Sequence, residues 1–166
     1  MKSKLIIIRG NSGSGKTTTA QSLQKHFERG QVMLISQDVI RIGILNAKDR
    51  IGNPTIDIIK MLAAFGKDNY EYIIIEGIFN TKIYKEMFYK LADLFDPNVY
   101  VYYYEIPFEE TVVRHTTRDK ANDFGPDRMK EWWLEKDYLH IKNEKILDET
   151  LSQEDVLRMI LNDLSN

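Results

Sequence analysis

The chain has 166 residues, of which 43% are hydrophobic and 29% are charged, and its formal net charge at pH 7 is −2. This length and composition suit one soluble domain with a substantial core. The slightly acidic balance weighs against a nucleic-acid-binding surface, which is usually basic. The absence of cysteine excludes disulfide bonds and cysteine-ligated zinc.

The N-terminus shows no pattern of a secretion signal or a membrane anchor. Basic residues precede only four clear apolar residues, Leu5–Ile8, before Arg9, and such a run is too short for the core of a signal peptide. No apolar run in the sequence approaches the length of a membrane span. We therefore expect a cytoplasmic protein with no membrane partner, and the sequence gives no indication of its oligomeric state.

Short apolar runs rich in β-branched residues recur along the chain and alternate with helix-like segments. Continuous apolar runs are typical of strands that are buried on both faces of a sheet. Because strands alternate with helices, we predict βαβ units, a mostly parallel sheet and one α/β domain over residues 1–166. The predicted strands, of which the last is the weakest, are Leu5–Ile8, Val32–Ile35, Tyr72–Ile75, Val99–Tyr104 and Ile146–Leu147.

The intervening helices are predicted from apolar residues at helical spacing and from the residues that begin and end helices. The second helix is expected to end at Gly66, and the last to begin with a capping box formed by Ser152 and Asp155. A polar break, DKANDFGPD, occupies residues 119–127. The predicted helices are Thr17–Glu28, Thr55–Phe65, Thr81–Phe95, a segment from Pro107 to Arg118, and a segment from Ser152 onward.

A glycine-rich stretch, GNSGSGKT, joins the first predicted strand to the first predicted helix and fits the pattern G-x-x-x-x-G-K-[ST]. Glycines allow successive backbone N–H groups to curl around a phosphate, and the following helix N-terminus adds partial positive charge. Lys16 supplies a full charge for the β- and γ-phosphates, and the hydroxyl of Thr17 supplies a ligand for Mg²⁺. The predicted nucleotide-binding residues are Gly10, Asn11, Ser12, Gly13, Ser14, Gly15, Lys16, Thr17 and Thr18.

This loop resembles that of the P-loop NTPases. The alternative is a glycine-rich turn that binds nothing, but the strand before the loop and the helix after it favour the phosphate site. Neither the Asn-Lys-x-Asp motif of GTPases nor the LSGGQ motif of transporter ATPases is present. The resemblance to P-loop kinases implies a three-layer α/β fold with a five-stranded parallel sheet in the order 2-3-1-4-5, helices on both faces, and a short lid at about residues 119–127.

Asp38 and Arg41 follow the second predicted strand, and ligands bind at the carboxyl ends of strands in open α/β sheets. The spacing alone leaves two interpretations open: a substrate site, or a helix over Val39–Leu45 that Asp38 merely caps. The D-x-x-R pattern resembles the substrate-side motif of phage-type polynucleotide 5′-kinases and related small P-loop kinases. The resemblance implies that Asp38 acts as general base or orients the acceptor hydroxyl, and that Arg41 contacts the acceptor.

Glu76 ends the third predicted strand and is followed by Gly77, in a segment that resembles a Walker B motif. An acid at this place can hold the hydration shell of Mg²⁺ or contact the substrate. The residue is Glu instead of the commoner Asp, which leaves the choice between these roles open. The alternative is a charged residue that only marks where the chain leaves the sheet.

Arg114 and Arg118 are four residues apart at the end of the fourth predicted helix and share one helix face. From spacing alone, two cations near a helix C-terminus need no function beyond favourable interaction with the helix dipole. An R-x-x-x-R pattern before a polar lid resembles the same kinase group, and the resemblance implies that both arginines stabilise charge during phosphoryl transfer.

Two further segments are predicted to be structural. Trp132 and Trp133 are predicted to pack, and only one of two adjacent residues can easily face a substrate pocket. The charged run Lys130–Asp137 is predicted to be a solvated helix face.

The residues and the resemblance together predict an ATP-dependent kinase that uses Mg²⁺ and phosphorylates a hydroxyl group of a small molecule such as a nucleoside, sugar or antibiotic. The predicted catalytic residues are Lys16, Asp38, Arg114 and Arg118. One alternative is a polynucleotide 5′-hydroxyl kinase, which the D-x-x-R pattern favours and the acidic balance disfavours. A second alternative, from another class, is a nucleotide-binding regulatory module that has no acceptor.

Overall fold

The computed structural model describes residues 2–117 and 123–165. Helices and strands alternate along these residues, and residues 119–122 of the predicted lid lie outside them. The strands are β1 (Lys4–Gly10), β2 (Val32–Ser36), β3 (Tyr72–Gly77), β4 (Val99–Tyr104) and β5 (Lys145–Leu147). The helices are α1 (Lys16–His26), α2 (Thr55–Asn69), α3 (Thr81–Phe95), α4 (Phe108–Thr116), α5 (Pro126–Glu131) and α6 (Gln153–Ser165).

The five strands form one parallel sheet in the order β2-β3-β1-β4-β5. This confirms the predicted fold class and the strand order 2-3-1-4-5. The register pairs Ser36 with Glu76 and Gly10 with Tyr104. The carboxyl ends of β2, β3, β1 and β4 therefore meet at one edge of the sheet, where parallel α/β sheets bind their ligands.

Strand β1 lies at the centre of the sheet and supplies both halves of the core. Its residues Leu5, Ile6, Ile7 and Ile8 are all fully buried. Because successive side chains of a strand point to opposite faces, Leu5 and Ile7 pack with α2 and α3, whereas Ile6 and Ile8 pack with α1 and α6. Helices thus cover both faces of the sheet, as predicted.

Two helix ends can be compared directly with the sequence patterns. Helix α2 runs through Gly66 to Asn69, so the predicted stop at Gly66 is wrong. A Cβ on Gly66 would lie 2.9 Å from Ile73 Cγ1 and 3.0 Å from Met33 Sδ, which shows that this glycine permits close helix–sheet packing instead of ending the helix. At α6 the capping box is confirmed, because the Asp155 amide donates to Ser152 Oγ and the Ser152 amide donates to the Asp155 carboxylate, both at 3.1 Å.

The segment after α5 differs from its prediction. Helix α5 ends at Glu131, so residues 132–137 are not a solvated helix face. The chain instead turns back toward the carboxyl edge of the sheet, where Asp137 pairs with a buried arginine of β1. None of the described helices is long and apolar enough to cross a membrane.

Candidate active site

The loop between β1 and α1 requires glycine at two positions. Gly13 and Gly15 have φ angles of 81° and 105°, which other residues rarely adopt. A Cβ would lie 2.5 Å from the Thr111 carbonyl oxygen at Gly13, and 2.5 Å from Gln153 Nε2 at Gly15. The loop is therefore held closely between α4 and the start of α6, with a shape that only an unsubstituted backbone can take.

The chemistry around this loop fits a bound anion. Helix α1 has no side-chain cap and no acidic residue in its first turn, so no side chain of that turn neutralises its positive end. Lys16 is 8% exposed and folds over the loop, where its ammonium donates to the Asn11 carbonyl oxygen at 3.2 Å. Ser14 Oγ is buried without a hydrogen-bond partner among the described residues. Together these groups form a cradle suited to phosphate.

Thr17 and Glu76, both predicted as magnesium ligands, lie next to each other. The hydroxyl of Thr17 donates to Glu76 Oε2 at 3.1 Å, and the Glu76 side chain is buried at the end of β3. No group of three or more His, Cys, Asp or Glu residues within residues 2–117 and 123–165 could hold a metal. A pair of protein oxygens beside a phosphate cradle nevertheless fits Mg²⁺, which takes most of its ligands from phosphates and water.

Asp38 and Arg41 also lie together, and Asp38 stands at the start of a helical segment without capping it through its side chain. A single π-helical segment, Val39–Ile44, follows Asp38, and the Asp38 side chain accepts no capping hydrogen bond from it. Instead, Arg41 Nη2 donates to Asp38 Oδ1 at 3.3 Å, and Arg41 Nη1 donates to the Ala47 carbonyl oxygen at 3.3 Å. The Asp38 carboxylate is about half exposed, so it remains accessible to a ligand.

A cavity of about 740 Å³, here called the Asp38 cavity, opens beside the glycine loop. It extends from the loop past the end of β2 to the residues around α5. Its polar wall consists of Ser12, Asp38, Arg41, Asp49, Asn80, Asp123 and Glu131. Its apolar wall consists of Ile42, Ile78, Ile83, Phe124, Trp132 and Leu134.

A second cavity of about 590 Å³, here called the Arg114 cavity, touches the loop at Gly15. It lies between Thr18, Arg114 and residues 149–153. Arg114 is not simply solvated, because its Nη1 donates to the Ser14 carbonyl oxygen at 3.1 Å and its Nε to Glu110 at 2.8 Å. The guanidinium is therefore fixed against the loop. Arg118, the other predicted catalytic arginine, lies outside the described residues.

A buried ion pair, which the sequence reasoning missed, supports the start of the loop. Arg9 is fully buried, and its Nη2 donates to Asp137 Oδ2 and to the Phe79 carbonyl oxygen, both at 2.7 Å. Burial lowers the pKa of Arg9, and the negative charges of Asp137 and Glu144 oppose that shift. The sequence signal for a buried charge was Arg9 itself, a charged residue at the end of an apolar strand, but nothing local to Arg9 indicates Asp137 as its partner.

The neighbouring Asn11 joins the loop to the same returning segment. Its side-chain amide donates to the Leu134 carbonyl oxygen at 2.7 Å, and its side-chain oxygen accepts from the Leu134 amide at 2.9 Å. Both the nitrogen and the oxygen of the Asn11 side chain are thus bound to Leu134, which ties the loop to the returning segment. The pairing also fixes Leu134, which lines the Asp38 cavity.

Replacing Asp137 with alanine is expected to lower the free energy of unfolding by about 3–5 kcal/mol, because it removes the carboxylate that is hydrogen-bonded to the buried Arg9 and leaves only Glu144, 4.0 Å away, as its counter-charge. Urea unfolding monitored by circular dichroism measures this change in the free energy of unfolding. The control is Asp57→Ala, since Asp57 is 74% exposed in its pair with Lys60 and should contribute only about 0.2–1 kcal/mol. Equal losses for the two variants would contradict the structural role of the Arg9–Asp137 pair.

The sheet order, the glycine loop and the acidic end of β3 define a P-loop fold of the kinase type. No protein-family model matches the chain, and a search of curated protein sequences found no match. Solved structures of low sequence identity do match it over nearly its whole length.

The similar structures include three kinases. A gluconokinase from Sinorhizobium meliloti 1021 has 16% identity and a TM-score of 0.69, over 98% of this chain and 91% of the other. The APS kinase of Mycobacterium tuberculosis, in complex with AMPPNP and APS, has 15% identity and a TM-score of 0.70, over 99% of each chain. A sugar kinase from Janibacter sp. HTCC2649 has 17% identity and a TM-score of 0.64, over 98% and 95%. The fold of this chain is therefore that of the small P-loop kinases.

Proposed function

We propose that this protein is an ATP-dependent kinase that transfers the γ-phosphoryl group of ATP to a hydroxyl group of a small molecule. The observation that carries the proposal is the position of the glycine loop between two cavities, one with the Asp38 carboxylate and the other with Arg114. A phosphoryl-transfer enzyme needs this arrangement, because donor and acceptor must approach one phosphorus atom from opposite sides.

In the proposed complex the phosphates of ATP lie on the loop amides, beside Lys16 and the N-terminus of α1. Lys16 neutralises charge on the β- and γ-phosphates, and Arg114, held against Ser14, adds a second positive charge on the donor side. Thr17 and Glu76 would hold Mg²⁺, which supplies further neutralisation of phosphate charge when it is bound. The nucleoside end of ATP occupies the Arg114 cavity.

In the proposed reaction the acceptor lies in the Asp38 cavity. Its hydroxyl oxygen forms a bond to the γ-phosphorus as the bond from that phosphorus to the β,γ-bridging oxygen breaks. The hydroxyl proton passes to the Asp38 carboxylate, and ADP leaves with the electron pair of the broken bond. Arg41 fixes the orientation of Asp38 through their contact at 3.3 Å and faces the acceptor.

Formation of ADP in the presence of Mg²⁺ and candidate acceptors tests this function. Nucleosides, sugars, amino sugars and oligonucleotides with free 5′-hydroxyl ends should be compared side by side, together with a reaction that has no acceptor. We expect ADP formation that depends on a small-molecule acceptor. ATP binding without acceptor-dependent turnover would favour a regulatory module, and turnover with oligonucleotide ends alone would favour a polynucleotide kinase.

A further inference from the structure

We infer that the Asp38 cavity takes an acceptor that is both hydroxylated and cationic, with at least one ammonium group, as in an amino sugar or an amino alcohol. This inference rests on the proposed function, since the loop and the cavity define the acceptor site. What it adds is the charge of the acceptor, which follows from the side chains that form the wall of the cavity.

Negative charge dominates that wall. Four carboxylates, those of Asp38, Asp49, Asp123 and Glu131, line the cavity together with a single guanidinium, that of Arg41. The wall therefore carries an excess of three formal negative charges among the described residues. Arg41, the one cation that the described part of the wall contains, is already paired, because it contacts Asp38 at 3.3 Å.

The other three carboxylates have no cationic partner among residues 2–117 and 123–165. No salt bridge between described residues involves Asp49, Asp123 or Glu131, and all three side chains lie on exposed positions of the cavity wall. Asp49 is fixed by the Tyr84 hydroxyl, which donates to it at 2.5 Å. Burial, and next the hydrogen bond to Asp49, raise the pKa of Tyr84 to about 12, so this donor keeps its proton at neutral pH.

Aromatic rings complete a surface suited to a cation. Phe124 and Trp132 line the same cavity and lie edge to face, with ring centroids 5.2 Å apart. His115 stacks on Phe124 with a centroid distance of 4.5 Å and so helps to hold that ring in place. A ring face attracts an ammonium group, and the attraction is stronger where water is partly excluded.

The same wall disfavours an anionic acceptor. A carboxylate or phosphate on the acceptor would face like charges, and Arg41, the one guanidinium of the described wall, is already paired with Asp38. A neutral polyol would avoid repulsion but would leave the carboxylates without a charged partner. An ammonium group is the ligand chemistry that complements both the carboxylates and the rings.

Fluorescence quenching tests the charge preference without requiring the natural acceptor. The chain has two tryptophans, so Trp133→Phe leaves Trp132 as the reporter inside the cavity. Quenching by Cs⁺ and by iodide is measured, each normalised to N-acetyltryptophanamide. We expect the normalised ratio of Cs⁺ to iodide quenching to be at least about threefold, and a ratio at or below one would overturn the inference.

A charge-removal variant checks that the ratio comes from the cavity. The double substitution Asp123→Asn and Glu131→Gln should bring the quenching ratio close to one. Glu86→Gln, which removes an exposed charge on α3 that does not line the cavity, should leave the ratio unchanged. If the double variant and Glu86→Gln changed the quenching ratio equally, the inference would be overturned, because the ratio would then reflect the charge of the whole protein surface and not that of the cavity.

A matched acceptor panel then addresses the reaction itself. Glucosamine, glucose and glucuronate share a hydroxylated ring and differ in charge, and their binding is followed by Trp132 fluorescence in the presence of an unreactive ATP analogue. We expect glucosamine to bind at least about tenfold more tightly than glucuronate; equal or reversed affinities would overturn the inference. Tight binding of glucosamine with no ADP formation from ATP and any acceptor would contradict the kinase proposal and leave the charge preference standing.

Discussion

Asp38→Asn is expected to lower kcat by about 10²–10⁴ while ATP affinity stays unchanged. The amide keeps the shape of the side chain and can still accept a hydrogen bond from Arg41, but it cannot take the proton of the acceptor hydroxyl. General-base catalysis contributes a factor of about this size. Steady-state turnover with an acceptor, together with calorimetric titration of ATP and Mg²⁺, measures the two quantities.

The control for this variant is Asp57→Asn, which makes the same chemical change on an exposed position of α2. It should leave both kcat and ATP affinity as they are in the parent protein. If Asp38→Asn turned over as fast as the parent, proton transfer to Asp38 would be refuted. A loss of ATP affinity equal to the loss of kcat would instead assign Asp38 to the nucleotide site.

Lys16→Ala is expected to reduce kcat/KM for ATP by about 10³ or more. The ammonium folds over the loop in a largely buried position, so its charge acts on the phosphates with little screening by water. Removing a preorganised donor of transition-state stabilisation commonly costs about 10²–10³, and Lys16 carries a full charge. Initial rates at varied ATP concentration measure the effect.

Lys25→Ala is the matched control, because Lys25 lies on the same helix but is exposed in its last turn. It removes one positive charge without touching the loop. We expect its kcat/KM to remain close to that of the parent. A Lys16→Ala variant that binds and turns over ATP normally would refute the assignment of the loop as the phosphate site.

The features that could be predicted from the sequence are those that depend on neighbouring residues in the chain. The apolar runs gave the strands, because a strand buried on both faces needs continuous apolar residues. The glycine spacing predicted the loop, whereas the D-x-x-R spacing left the role of Asp38 and Arg41 open until the structure showed their contact at 3.3 Å. The strand order came from resemblance, and the sheet confirms it.

The features that could not be predicted depend on residues far apart in the chain. The Arg9–Asp137 pair joins residues 128 positions apart, and no local pattern links them. A charged run predicts a solvated helix face, because a periodicity argument does not show the buried partner of Asp137. A glycine after an apolar helical pattern predicts a helix end, whereas the packing of Gly66 against Ile73 depends on the tertiary structure.

The charge of the Asp38 cavity has the same origin. Its carboxylates come from the end of β2, the segment before α2, and the residues around α5. The overall net charge of −2 gave no hint that negative charge is concentrated at this wall. The charge of the acceptor can therefore be inferred only from the folded cavity, whereas phosphate binding can be inferred from the sequence of the loop.

The most direct measurement of the central claim uses ATP labelled with ³²P at the γ-position and follows the label in the presence of glucosamine and related amino sugars. If the protein is a kinase of hydroxylated acceptors, the label appears in a phosphate ester of the acceptor, with one ADP formed for each ester. The Asp38→Asn variant should form that ester far more slowly. Label that appears only as inorganic phosphate, at the same rate with and without any acceptor, would contradict the claim.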